Sequence, residues 1–294
     1  MTENSIETEG IAKNHTPQEQ INLGVTLVTA YFDIGSFPKG DDSNMYQPSM
    51  YEDWMSIFQL IDNPLYVYVD EIKYVDVFND IRKRNLHNRT KIILLDRKEL
   101  WSFNLKENIS SIFSDPKYPK FYPNTVIADY SCAMHAKFEV VQKAIEENQF
   151  NTKYFAWIDI GLFRDLVNTT SQAFKIDIPE KFNESRVAYN QVFSPMRRTL
   201  TQIIRNNEVW VGGAFFIAEK DIMQKWVGDY MYYTERFIEL KWISTDQQVI
   251  YAMAQPTIHK KLGKRRVFIQ PYHVESPNSW FGLGYFCKNP VDIL

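Results

Sequence analysis

The sequence predicts an α/β sandwich, in which helices flank a mostly parallel central sheet. Strand-like runs alternate with helix-like runs along the chain, which is the pattern of α/β proteins. Several strand-like runs are apolar without alternation, as expected for strands buried on both faces of a parallel sheet. Hydrophobic residues make up 45% of the chain, so one sizeable core can form.

The predicted elements follow one another in a regular order. A first strand is expected over residues 25–32 and a helix over residues 48–61, where Ser49 and Glu52 fit a capping box. Five further runs have the length and composition of strands: 64–70, 91–96, 153–161, 209–218 and 265–274. Three further runs have the apolar spacing of helices: 131–150, 219–240 and 244–255.

The first residues of the chain differ from the rest. Residues 1–22 are polar and lack the apolar segment of a secretory leader, so they are expected to form a flexible tail. Residues 23–294 contain no low-complexity linker and are expected to form a single domain. No apolar run reaches the roughly 20 residues of a membrane span. The expected location is the cytoplasm, where the protein could still act beside a membrane.

The charge balance excludes one class of partner. The chain has 33 basic and 36 acidic residues, and its net charge of -3 offers no excess of positive charge for nucleic acid. The chain contains no P-loop, GxGxxG or Ser-His-Asp signature. Cys132 and Cys287 match no metal or redox spacing and are expected to be reduced thiols.

Aspartates follow four of the predicted strands: Asp33, Asp70, Asp96 and Asp159. Ligands of open parallel sheets bind beyond the carboxyl ends of the strands, so we expect these acids at the edge where chemistry occurs. In "YFAWIDIG", Gly161 follows Asp159 closely and would let a ligand approach. Two interpretations of Asp159 stay open: a ligand of a hard cation, or a turn residue that accepts backbone hydrogen bonds.

Four segments of the chain, taken in order, resemble one family: "TLVTAYFDIG", "YFAWIDIGLFR", "WVGGAFFIAEKDIMQKW" and "STDQQVIYAM". They are similar to the HtrL/YibB family of bacterial and viral proteins, and the resemblance runs over residues 25–281. It implies a glycosyltransferase with the GT-A fold of nucleotide-diphospho-sugar transferases. The cytoplasm would then be that of a bacterial cell or of a virus-infected host cell.

The resemblance implies a nucleoside-diphosphate sugar as the donor, expected to be a UDP-sugar, and a glycan or another hydroxyl compound as the acceptor. Thr29, Ala30 and Tyr31, at the end of the first strand, would hold the nucleotide, with Tyr31 stacked on the base. Lys137, on the helix that precedes the Asp159 strand, would contact the diphosphate.

A divalent cation, Mn²⁺ or Mg²⁺, is the cofactor that the resemblance implies. Asp159 stands where related enzymes carry an Asp-x-Asp pair, but Gly161 replaces the second acid. His273 is the expected further ligand and His259 is its rival. The metal would offset the charge of the leaving diphosphate, and basic side chains could share that role, among them the basic run within residues 260–266.

Two further pairs of residues complete the expected site. Gly212 and Gly213 lie inside a predicted strand, where glycine permits close approach of a ligand, here the donor sugar, or marks a packing bulge. Asp246 and Gln247 begin a predicted helix. The resemblance assigns Gln247 to the donor and Asp246 to the role of base, which an inverting transferase needs. From its position alone, Asp246 could simply complement the helix dipole.

Two other functions stay open at this point. The loss of the second acid makes a non-catalytic nucleotide- or carbohydrate-binding protein on the same scaffold credible, because a fold does not fix a function. The strand-end acids would also suit a metal-dependent hydrolase if they formed one cluster.

Overall fold

The computed structural model describes residues 22–40, 44–263, 267–275 and 278–291. Residues 1–21 of the predicted tail lie outside this part of the chain, as do Lys264, Arg265 and Arg266 of the basic run. None of the described helices is both long and apolar enough to cross a membrane. The two cysteines are free thiols and are buried.

The described residues form eleven strands and ten α-helices. The strands are β1 (Asn22–Tyr31), β2 (Phe37–Lys39), β3 (Asn44–Tyr46), β4 (Leu65–Val69), β5 (Thr90–Leu94), β6 (Thr152–Ile158), β7 (Phe174–Ile176), β8 (Arg186–Gln191), β9 (Val211–Glu219), β10 (Phe268–Tyr272) and β11 (Lys288–Pro290). The helices are α1 (Pro48–Met55), α2 (Ile72–Ile81), α3 (Trp101–Asn104), α4 (Lys106–Phe113), α5 (Ala128–Glu147), α6 (Leu200–Arg205), α7 (Lys220–Glu239), α8 (Asp246–Met253), α9 (Pro256–Leu262) and α10 (Gly282–Phe286).

Seven strands form the central sheet, in the order β10-β8-β9-β6-β1-β4-β5. Neighbouring strands pair in parallel except at β9, which is antiparallel to both β6 and β8. The predicted mostly parallel sheet is therefore confirmed. Strand β8 was not predicted, because the six residues "RVAYNQ" contain only three successive apolar residues and have polar side chains on either side of them.

Helices cover both faces of the sheet and enclose a core on each side. One core joins the sheet to α5, α7 and α8, and the other joins it to α1, α2 and α10. Successive residues of a strand point to opposite faces, so Val28 of β1 belongs to the first core and Leu27 to the second. Burial of both faces explains the long apolar runs that predicted these strands.

The predicted helix over residues 48–61 begins differently from the expectation. The helix α1 is followed by a 3-10 helix, Ser56–Leu60. Gln47 is the N-cap, a proline opens the helix, and no side chain caps it, so the predicted capping box of Ser49 and Glu52 was wrong. Proline suits this position because the first turn has no partner for an N–H group.

The order of the strands reverses between β1 and β6. From β1 the chain proceeds to β4 and β5 on one side, and it then returns through α5 to β6 on the other side of β1. At such a switch point the two connections diverge and open a crevice beyond the carboxyl ends of the strands. The crevice lies just after Tyr31 and Ile158, so the topology places it beside Asp159.

Candidate functional site

Two cavities open at the switch point and meet at Lys137 and Asp159, which line both. The smaller, of about 140 Å³, lies beyond β1 and has aromatic walls. The larger, of about 520 Å³, lies between the start of β9 and the start of α8. We call them the small chamber and the large chamber. Together they form one cleft.

A buried lysine lies between two carboxylates where the chambers meet. The Nζ atom of Lys137 is 3.1 Å from Oδ1 of Asp159 and 3.1 Å from Oδ2 of Asp246. It also donates a hydrogen bond to the carbonyl oxygen of Gly213 at 3.0 Å. An ammonium group has three N–H donors, and these three oxygens match that number. The side chain of Lys137 is 3% exposed and that of Asp159 is 33% exposed, so solvent and ligands reach this group through Asp159.

Three elements from distant parts of the chain converge on this group. Helix α5 packs on β1 and β6, and Tyr130, Met134 and Lys137 follow one face of it at helical spacing. Strand β6 ends immediately before Asp159, whose N–H donates to the carbonyl oxygen of Ala214 in β9 at 2.9 Å. Asp246 is the first residue of α8. The sheet therefore aligns Asp159 while two helices bring in its charged partners.

The glycine pair of β9 permits this close approach. A Cβ atom at Gly213 would lie 2.2 Å from Oδ2 of Asp246 and 3.4 Å from Nζ of Lys137. A Cβ atom at Gly212 would lie 2.9 Å from the carbonyl oxygen of Trp280. Both glycines also line the large chamber. Gly213 lets the strand pass directly beneath the charged side chains, and Gly212 lets it pass close to the backbone at Trp280, which a residue with a side chain could not do without displacing these groups.

Burial and charge act in opposite directions on the titration of the pair. Burial raises the pKa of Asp246, Lys137 lowers it, and the net direction is upward. Burial lowers the pKa of Lys137, but Asp159 and Asp246 outweigh that effect and raise it. Lys137 is therefore a cation at neutral pH. Asp246 has a greater proton affinity than an ordinary aspartate, which is the direction that a general base needs.

The packing around Gly161 leaves little room for an acidic side chain at the position where the resemblance implies the second acid of an Asp-x-Asp pair. A Cβ atom at Gly161 would lie 3.0 Å from Cε3 of Trp54, so the indole ring rests on this glycine. A carboxylate side chain here would have to displace the ring. The ring itself forms part of the wall of the small chamber, and the glycine lets the ring pack closely against residue 161.

The described residues do not fit the divalent-cation site that the resemblance implies. Oδ1 of Asp159 already accepts a hydrogen bond from Nε1 of Trp157 at 2.7 Å and faces the ammonium group of Lys137. His273 is exposed and lines neither chamber. His259 lies on α9, where its ring contacts a backbone carbonyl. Within the described residues, no three His, Cys, Asp or Glu side chains gather closely enough to hold a metal ion.

Most of the other predicted donor residues lie on the walls of the cleft. Ala30 and Tyr31 line the small chamber, whereas Gln247 lines the large chamber. Thr29 lines neither chamber. Its hydroxyl group donates to the carbonyl oxygen of Ile158 at 2.7 Å, which ties β1 to β6. Thr29 therefore stabilises the sheet next to the cleft and does not line the cleft itself.

The ring of Tyr31 is already packed between other aromatic rings. Its centroid is 4.6 Å from that of Tyr74 and 5.2 Å from that of Tyr51, and the residue is 7% exposed. Tyr46 and Trp54 are half-buried and line the small chamber, so they present more ring surface to it than Tyr31, although each also contacts other rings. Both were missed from the sequence, where Trp54 reads as an apolar position of a helix.

Two cations at the junction of the chambers were also missed. Lys39 lies over two tyrosine rings, 5.4 and 5.5 Å from their centroids. Arg164 lies 5.5 Å from the ring centroid of Trp54 and 4.8 Å from that of Phe281. Both cations line both chambers. Arg164 closes the segment "YFAWIDIGLFR", so its nearness to Asp159 in the sequence was the available signal.

The other strand-end acids do not join this site. Asp33 accepts hydrogen bonds from the Tyr74 hydroxyl group and from Lys73. Asp70 forms an ion pair with an arginine, and Asp96 caps a short 3-10 helix. None of the three lines either chamber. The cluster of strand-end acids that a metal-dependent hydrolase would need is therefore absent from the described residues.

Similarity to known proteins identifies the family of this chain. The sequence matches the model of the family HtrL_YibB, described as "Bacterial protein of unknown function", over residues 23–260. No curated protein matches the chain at a significant level. The matched residues cover Lys137, Asp159 and Asp246, and they end before His273. This chain belongs to the HtrL_YibB family.

Proposed function

We propose that the protein is a glycosyltransferase that moves a sugar from a nucleoside-diphosphate sugar, such as a UDP-sugar, to a hydroxyl group of a glycan or another acceptor. One observation carries this proposal: the buried carboxylate of Asp246 forms a wall of the large chamber and is held there by Lys137. The site lies at the switch point of a mostly parallel sheet, where α/β proteins bind their ligands. This architecture supports the GT-A assignment.

The two chambers suit the two halves of such a donor. Aromatic side chains such as Tyr46 and Trp54 line the small chamber, and planar bases stack well on aromatic rings. The large chamber has space for the sugar and for an acceptor, and Asp246 lies in its wall. The diphosphate that links base to sugar would then cross the junction at Lys137 and Asp159.

The proposed reaction is a single displacement at the anomeric carbon. The acceptor hydroxyl group gives its proton to the carboxylate of Asp246, and its oxygen forms the new bond to the anomeric carbon. The bond from that carbon to the diphosphate oxygen breaks, and the nucleoside diphosphate leaves with the electron pair. Lys137 orients Asp246 through Oδ2 at 3.1 Å and lowers the pKa of this carboxyl group against the effect of its burial.

Replacement of the base tests the proposal. Purified protein is incubated with a panel of nucleoside-diphosphate sugars, with and without glycan acceptors, and release of the nucleoside diphosphate is measured. We expect Asp246→Asn to lower the rate by about 10²- to 10⁴-fold, with little effect on donor affinity. Asp221→Asn is the matched control, because Asp221 also lies in the first turn of a helix but is exposed. Equal rates in the two variants would exclude Asp246 as the base.

A non-catalytic nucleotide- or carbohydrate-binding protein is the second candidate. It is favoured by the ion pair that already engages Asp246, because a neutralised carboxylate is a weaker base. Under this alternative, nucleoside diphosphates bind but no donor sugar is consumed with any acceptor. Detection of transfer or of donor hydrolysis, lost in Asp246→Asn, would eliminate it.

A further inference from the structure

The cleft is basic although the chain as a whole is acidic. The charged residues in its walls are four bases and two acids: Lys39, Lys120, Lys137, Arg164, Asp159 and Asp246. The net charge of the complete chain is -3. Clefts lined by one sign of charge concentrate ligands of the opposite sign, so the cleft favours an anion.

Two of these cations are free to meet such an anion. Lys137 is committed to Asp159 and Asp246, and Lys120 donates to backbone carbonyl groups. Among the described residues, no carboxylate lies within ion-pair distance of Lys39 or Arg164. Both are half-buried and lie over aromatic rings, which hold a cation in place without neutralising it.

The Trp54 ring, which leaves little room for an acid at residue 161, also contacts one of these cations. Trp54 rests on Gly161, where an Asp-x-Asp pair would have its second acid, and Arg164 rests on Trp54. An indole ring therefore covers residue 161, and a guanidinium group lies over that ring. Lys137 likewise places an ammonium group between the two acids of the site.

From these contacts we propose that Lys39 and Arg164 bind the diphosphate of the donor directly, and that the protein binds and uses this donor without a divalent cation. The inference rests on the proposed function. Arginine presents paired N–H donors that match two phosphate oxygens, whereas lysine acts as a point charge. As the bond between the anomeric carbon and the diphosphate breaks, the two cations stabilise the negative charge on the leaving group and transfer no atom.

Calorimetric titration with UDP, GDP, ADP and CDP tests the inference, each in EDTA and again with Mn²⁺. We expect one of these nucleotides to bind in EDTA with a Kd within about 3-fold of its value with Mn²⁺, since charge-assisted hydrogen bonds replace the metal. Arg164→Gln should weaken this binding by about 10-fold or more, and Lys39→Met by a smaller factor.

The matched control is Arg186→Gln, since Arg186 is an exposed arginine at the start of β8 that lines neither chamber. Thermal melting confirms that each variant is folded. Pyrophosphate is titrated in parallel, and weaker pyrophosphate binding in Arg164→Gln than in Arg186→Gln would support a site for the diphosphate itself.

Two results would overturn the inference and leave the proposed function standing. One is nucleotide binding and sugar transfer that require Mn²⁺ and vanish in EDTA. The other is binding in EDTA that neither Arg164→Gln nor Lys39→Met weakens relative to Arg186→Gln. By contrast, diphosphate binding in EDTA without any consumption of a donor sugar would support the cationic site and count against the transferase.

Discussion

The tripeptide Asp-Ile-Gly follows two neighbouring strands, β1 and β6, and serves a different purpose in each place. Asp33, after β1, accepts hydrogen bonds from the Tyr74 hydroxyl group and the N–H of Gly35, and it lines no chamber. Asp159, after β6, contacts Lys137 and lines both chambers. An identical local sequence therefore forms a closed turn in one place and a wall of the cleft in the other.

The glycines of the two tripeptides differ in the same way. Gly35 has a φ of 75°, and a Cβ atom there would meet nothing within 4 Å. Gly161 does not have a positive φ, but Trp54 occupies the space of its Cβ atom. Gly35 is suited to its position because it can adopt a positive φ, whereas Gly161 is suited to its position because it leaves space for the Trp54 ring of α1. Substitutions in the two tripeptides and at the residues that contact them can therefore show which tripeptide only stabilises a turn and which one contributes to the cleft.

The largest effect is expected from Lys137→Met. The substitution leaves Asp159 and the buried Asp246 facing each other without a cation, and breaking a buried ion pair in this way costs about 3–5 kcal/mol. Denaturant unfolding measures the loss. In the control, Lys91→Met, the lost partner is the part-exposed Glu147, so the change should stay below about 1 kcal/mol. A similar loss in both variants would mean that the buried triad contributes no more than a surface pair.

The next effect is expected from Gly161→Ala. The new methyl group would press on the ring of Trp54, and overpacking of this kind costs about 1–3 kcal/mol. Thermal and denaturant unfolding measure it. When Gly161→Ala is combined with Trp54→Ala, it should lower the free energy of unfolding much less than it does alone, because the clash is with this ring. Independent, additive effects of the two substitutions would show that the strain lies elsewhere.

Asp33→Asn is expected to cost about 1–2 kcal/mol, because Tyr74 loses a charged hydrogen-bond acceptor. The proposed sugar transfer should be unchanged, whereas Asp159→Asn should impair this transfer or the binding of the proposed donor, since Asp159 lines both chambers. Parallel measurements of unfolding and of transfer check both substitutions. A loss of transfer in Asp33→Asn at full stability would place the first tripeptide in the site.

The contribution of Asp33 should also depend on pH. Burial raises its pKa, but Tyr74, the N–H of Gly35 and Lys73 outweigh burial and hold the pKa below the usual 3.8. The stabilisation is therefore complete above that usual value and is lost as the pH falls through the lower value of the folded state. The stability difference between wild type and Asp33→Asn should narrow in acid, and a constant difference would contradict this assignment.

The smallest effect is expected from Gly35→Ala, at about 1 kcal/mol, since only the left-handed backbone conformation opposes the methyl group. Gly35→Asn should cost less, because asparagine adopts this conformation more readily than alanine. At Gly161 the order should reverse, since asparagine is larger than alanine and the obstacle there is a ring. Unfolding curves of the four variants test this crossing pattern, and the same order at both positions would refute it.

Much of the fold was predictable because its signals are local. Strands β1, β4, β6 and β9 were predicted within a few residues, since each contains a largely apolar run. Strand β8 was missed because polar residues flank its short buried centre. The capping box at Ser49 and Glu52 fitted the sequence motif, but the proline before it opened the helix instead.

The site was predictable only in part. Asp159, Lys137 and Asp246 were each identified, and the structure brings all three together. Their arrangement was not foreseen. A metal site was expected at Asp159, but the ammonium group of Lys137 lies between Asp159 and Asp246 instead. The sequence analysis missed four residues of the cleft: Lys39, Tyr46, Trp54 and Arg164. Contacts between a cation and an aromatic ring produce no characteristic spacing in the sequence.

The sequence by itself determined the α/β class and the position of Asp159 at the end of a buried strand, because apolar runs and the polar residue that ends them are local features. The tertiary structure alone decided which Asp-Ile-Gly faces a cleft and how little space there is for a side chain at residue 161. Those properties depend on Lys137 and Trp54, which are distant in the sequence and meet Asp159 and Gly161 only when α5 and α1 pack against opposite faces of the sheet.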